Sequence, residues 1–155
     1  MVSSSRLEER LLQEILKIPV VDVHSHVPQD APHAYCLRDL LGYHYFTELA
    51  YSAGMDKGLL DPATPDEQML PALVEAMGAF DNTVQYAWFL ELARELFGFT
   101  HDHLTRDNWR ELAEAVRKAS EVPGRDRDIL RRSGIEKVFL TNSPDEDLQP
   151  IDKDI

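Results

Sequence analysis

Two histidines set two residues apart, His24 and His26, end the β-branched run Val20-Val21-Asp22-Val23. A strand repeats its side-chain direction every two residues, so a strand through Val23 turns both imidazoles to one side. They fall at the strand's C-terminal end, the edge on which α/β barrels carry their active sites. Two neutral imidazoles presented this way suit one divalent metal, with Zn–N bonds of about 2.0–2.1 Å, and leave positions open to water or substrate. The plainer alternative is a pair of surface histidines. The apolar strand before the pair, Asp22 beside it and the Pro-containing loop after it favour the metal.

The chain carries its own control. His101 and His103 have the same spacing but lie in Phe99-Thr100-His101-Asp102-His103-Leu104, between two helical segments, where no strand presents them to a cleft. They read as a solvated loop pair, and His33 as an ordinary loop residue. A second cluster, Gly42-Tyr43-His44-Tyr45, opens a helix. Its imidazole and phenol are groups that hydrogen-bond sugar hydroxyls and move protons. The alternative is that Tyr43, Phe46 and Leu49 simply form the packed face of that helix.

The elements that must position these residues are legible in outline. Leu11, Leu12, Ile15 and Leu16 recur at helical spacing and predict an N-terminal helix within 5–18, which Pro19 stops. A first strand is expected over 19–26 and a loop over 27–36. Helices follow: from about Leu37 to Ala53, ended by Gly54; from Thr64-Pro65-Asp66-Glu67; from an Asn82 cap to Phe97, ended by Gly98; from Thr105 or Asp107 to about Ser120; and over Arg127–Arg132. Lys137-Val138-Phe139-Leu140-Thr141 predicts a second strand within 136–142, and the acidic tail from Ser143 reads as a loop or frayed end. Strand, long helical insertion over 37–133, strand: the fold class is α/β.

Composition excludes some functions. The chain has 155 residues, 43% hydrophobic, with 28 acidic against 16 basic residues and a net charge of −12. No basic stripe offers a surface to nucleic acid, and the charge disfavours an anionic membrane. The single cysteine, Cys36, can make no internal disulfide. The N-terminal MVSSSRLEERLLQEILKI lacks the long apolar run of a signal peptide, so a soluble, cytoplasmic protein is expected.

Val21-Asp22-Val23-His24-Ser25-His26 resembles the first strand of the metal-dependent amidohydrolase superfamily. His44-Tyr45 opening a helix, the run Tyr86-Ala87-Trp88-Phe89-Leu90-Glu91-Leu92 with Phe97-Gly98, and Asp128 to Asn142 narrow the resemblance to uronate (glucuronate) isomerases, over about residues 19–142. The resemblance implies the N-terminal part of a (β/α)8 TIM-type barrel with a large helical insertion after the first strand. It implies aldose–ketose isomerisation of a small-molecule sugar acid. His24 and His26 would bind a divalent metal, commonly zinc, with a third ligand from an Asp of the last barrel strand. His44 and Tyr45 would contact substrate, with Tyr45 in the proton transfer. In the family, basic residues often follow the His-Tyr pair; here Phe46, Thr47 and Glu48 follow it. A closed barrel takes about 250 residues. A single, incomplete barrel domain over 1–155 is therefore expected, inactive alone and prone to oligomerise or aggregate through unpaired strand edges. A hydrolase or decarboxylase on the same barrel, and a non-catalytic helical protein, are the competing readings.

Overall fold

Pro19 and the β-branched residues after it end one regular element and begin another. Helix α1 runs Ser4–Ile15, three further backbone bonds carry the chain to Ile18, and strand β1 follows as Val20–Ser25. The structure, a computed structural model, describes residues 4–27, 33–141, 143 and 145. Residues 28–32 of the expected loop, and most of the expected tail, lie outside the described residues. After β1 come α2 (Leu37–Leu41), α3 (His44–Ser52), a 3-10 turn (Lys57–Leu60), α4 (Asp66–Met77), α5 (Val84–Phe97), α6 (Trp109–Ser120), α7 (Arg125–Arg132) and strand β2 (Ile135–Leu140). The chain divides into two compact units, Met1–His33 with Gly124–Ile155, and Ala34–Pro123.

In the first unit β1 and β2 pair in parallel, Val20 beside Ile135, Val21 beside Lys137, Asp22 beside Val138 and Ser25 beside Leu140. The register shifts between Asp22 and Ser25. Two backbone bonds clamp the ends: Val20 N–H to the Gly134 carbonyl, and Thr141 N–H to the Ser25 carbonyl, each 2.8 Å. Helix α7 packs on β2. Parallel strands are ordinarily covered on both faces, because half-covered ones leave β-branched side chains in water. Here Val23 stays 76% exposed and Phe139 57%. The apolar stripe of α1, Leu7, Leu11, Leu12 and Ile15, is exposed as well. Among the described residues of this unit only Ser25 is buried.

The second unit holds the hydrophobic core. Leu37 and Leu41 of α2, Met69, Leu73 and Met77 of α4, Phe89 and Ala93 of α5, and Leu112 and Val116 of α6 are buried together. Arg38 ties α2 to the start of α4 through the carbonyls of Asp61 and Thr64 and the Asp66 carboxylate. The Tyr86 hydroxyl, inside the core, accepts the Leu104 N–H at 2.9 Å, and burial pushes its pKa up. On the outer face of α6, Arg117 donates to both Glu114 oxygens and to Glu121, and holds the Glu114 carboxyl down at about 2.

The single helix expected from Leu37 to Ala53 is two helices. At Gly42 the chain turns: its N–H donates to the Arg38 carbonyl at 2.7 Å, and Tyr43 is extended, with φ −66° and ψ 142°. A Cβ at Gly42 would stand 2.5 Å from that carbonyl oxygen, so only glycine fits the approach. Other ends differ by a residue or two. Thr83, rather than Asn82, caps α5 by accepting the Tyr86 N–H; α4 starts at Asp66 after Pro65; α6 starts after Asn108; α7 begins at Arg125. Gly98 ends α5 in the left-handed conformation, φ 68°. That geometry lets the Phe99 N–H reach back to the Ala93 carbonyl.

Candidate metal centre

The β-branched stretch Val20–Val23 makes β1, and the strand's period carries His24 and His26 out on one side of it. His24 is the fifth residue of β1 and His26 follows its last. Their Nε2 atoms meet at 3.1 Å with the rings edge to face, centroids 4.9 Å apart. Ser25, between them, turns the other way and is 7% exposed, its hydroxyl accepting the Val27 N–H. The Asp22 carboxylate accepts the His24 backbone N–H at 3.1 Å, fixing the chain just before the first imidazole. On the far side of that ring, Nδ1 lies 3.2 Å from the Thr141 hydroxyl, one residue past the end of β2.

Two imidazole nitrogens this close, each bearing a lone pair, repel unless a proton or a metal ion lies between them. Two ligands of a tetrahedral zinc, at Zn–N of about 2.0–2.1 Å, stand about 3.3–3.4 Å apart. The observed 3.1 Å is within a few tenths of that, so the pair fits two corners of a metal site. Among the described residues no group of three or more His, Cys, Asp or Glu side chains could hold a metal. The two imidazoles stand as a pair without a third such side chain among the described residues, and both residues are exposed.

His44 and Tyr45 belong to the other unit. The break at Gly42 places them in the first turn of α3, where their rings meet edge to face 4.3 Å apart and Tyr43 stands edge-on to Tyr45 at 5.0 Å. Packing of α3 is done by Phe46 and Leu49, which lie against the core, with Phe46 edge-on to Phe89 at 5.8 Å. His44 is exposed and Tyr45 is 50% exposed, so neither is committed to the core. Burying Phe46 also means that no cation directly follows the pair.

No protein-family model and no curated protein matches this chain.

His101 and His103 are handled differently from the strand pair. His101 Nε2 contacts the Glu111 carboxylate at 2.9 Å, and the His103 ring lies beside Tyr86, centroids 6.2 Å apart. The same two-residue spacing thus diverges in a loop and converges on a strand. Thr141 is the residue that sequence reading passes over. It was legible only as the last of a strand-like run, and its approach to His24 depends on β2 lying parallel to β1. Among the described residues, no helix is long and apolar enough to cross a membrane.

Proposed function

We propose that this chain carries the first two metal ligands, His24 and His26, of a metal-dependent aldose–ketose isomerase acting on sugar acids, of the uronate isomerase kind. In this proposal the chain is one part of a (β/α)8 barrel in a soluble, cytoplasmic enzyme. The observation that carries it is the convergence of the two Nε2 atoms to 3.1 Å at the C-terminal end of a parallel strand. The uncovered faces of the β1–β2 sheet support the barrel part, because further strands and helices would supply the missing cover.

Aldose-to-ketose conversion moves a proton from C2 to C1 of the sugar, and a hydroxyl proton from O2 to O1, through an enediol-like species. A bound divalent metal, zinc by preference, supplies Lewis-acid polarisation of the substrate oxygens. The chain's own residues do the rest of what is proposed. His24 and His26 hold the ion from one strand end. The His44 imidazole hydrogen-bonds the sugar hydroxyls, and the hydroxyl of Tyr45, a half-exposed residue outside the core, takes part in the proton shift. With Phe46, Thr47 and Glu48 after the pair, recognition of the substrate carboxylate falls to other residues.

Two measurements test this. Zinc titration of the chain against a competing chelator should show one weak site, lost in His24→Ala/His26→Ala; unaltered zinc binding in that variant would leave the histidines incidental. A polypeptide carrying this segment within a closed barrel should interconvert a uronate and its ketose. Lactone, ester or amide cleavage without isomerisation would instead favour a hydrolase on the same strand pair.

A further inference from the structure

His24 meets His26 through Nε2. The opposite nitrogen, Nδ1, carries a second constraint. We infer that Thr141 is a positioning residue for His24: its Oγ1 accepts the Nδ1 proton and holds the ring with the Nε2 lone pair turned to His26. The tautomer part needs only the geometry of the metal-free chain. The metal part rests on the proposed role of His24 as a ligand.

Three observations support it. Thr141 Oγ1 lies 3.2 Å from His24 Nδ1, within hydrogen-bond reach. Thr141 is itself fixed, because its N–H donates to the Ser25 carbonyl at 2.8 Å, extending the parallel ladder one residue beyond β2. A β-branched threonine has few rotamers, so a held main chain limits where its hydroxyl oxygen can stand. Finally, the 3.1 Å separation of the Nε2 atoms requires that one nitrogen accept. A neutral imidazole with its proton on Nδ1 accepts at Nε2, and the Thr141 hydroxyl oxygen is placed to accept from Nδ1 in that form. His26 then donates in the metal-free chain; to hold a metal together, His26 would have to give up its Nε2 proton, whereas His24 would already present a free Nε2 lone pair. A ring already in the binding tautomer and orientation loses less freedom when it takes up the ion.

The test compares Thr141→Val, which keeps the β-branched shape and deletes the hydroxyl, with Thr141→Ser, which keeps the hydroxyl. Nitrogen-15 spectra of the metal-free chain report which His24 nitrogen carries the proton. Nδ1–H is expected in the parent and in Thr141→Ser, with a shift toward Nε2–H or a mixture in Thr141→Val. Zinc affinity should fall about tenfold or more in Thr141→Val and recover in Thr141→Ser. An Nε2–H tautomer in the parent would overturn the inference, as would unchanged tautomer and zinc affinity in Thr141→Val. Should His24→Ala leave zinc binding intact, the ligand role falls instead, and the nitrogen-15 spectra still decide whether Thr141 sets the tautomer.

Discussion

At the scale of single residues, the chain uses one spacing for two ends. His24 and His26 converge because a strand returns every second side chain to the same direction. His101 and His103 do not, and the first of them is spent on Glu111. His101→Ala should therefore leave zinc binding unchanged in the chelator titration, and loss of zinc there would mean that the wrong pair was chosen. Tyr45 makes a different claim. Within a closed barrel, Tyr45→Phe should keep the metal stoichiometry but lower turnover by about 10²–10⁴-fold, the usual worth of a positioned proton donor or acceptor. Full turnover in that variant would remove Tyr45 from proton transfer. The half-exposed ring, free of the core that occupies Phe46, is what makes the side chain available.

At the scale of elements, Gly42 decides where His44 and Tyr45 stand. Were α2 and α3 one helix, the pair would sit in its interior instead of in a first turn after an extended Tyr43. The backbone at Gly42 is ordinary, φ −72°, so the constraint is space rather than conformation: the Arg38 carbonyl occupies the place of a Cβ. Gly42→Ala should force that turn apart and cost about 1–3 kcal/mol, by analogy with overpacking elsewhere. A lowered urea midpoint with an unchanged slope would register it. An unshifted midpoint would show that the turn relaxes without loss.

At the scale of the whole molecule, burial is unequally shared. The hydrophobic core lies within Ala34–Pro123, where five helices close on one another. The other unit pairs two strands and leaves Val20, Val21, Val23 and Phe139 exposed, with Leu11, Leu12 and Ile15 of α1 exposed as well. A two-stranded sheet alone is marginal in water, and contiguous apolar surface of this kind promotes association. The isolated chain should sediment as concentration-dependent oligomers, and Leu12→Glu/Ile15→Glu should shift it toward monomer. A monodisperse parent over a wide concentration range would show that these faces need no cover.

Periodicity and punctuation in the sequence determined most of the elements by themselves. Gly98 ended α5, Pro19 separated α1 from β1, and the runs Val20–Val23 and Val138–Leu140 marked the two strands, because each signal acts within a few residues of where it lies. The shared direction of His24 and His26 was legible for the same reason, since side-chain alternation is a property of one strand. The division at Gly42 was not, because it depends on a close contact with a carbonyl four residues back that composition does not announce. The approach of Thr141 to His24, and the exposure of the β1–β2 faces, were decided only by tertiary structure. Both arise from residues more than a hundred positions apart lying side by side, and no local pattern records which strands pair or what covers them.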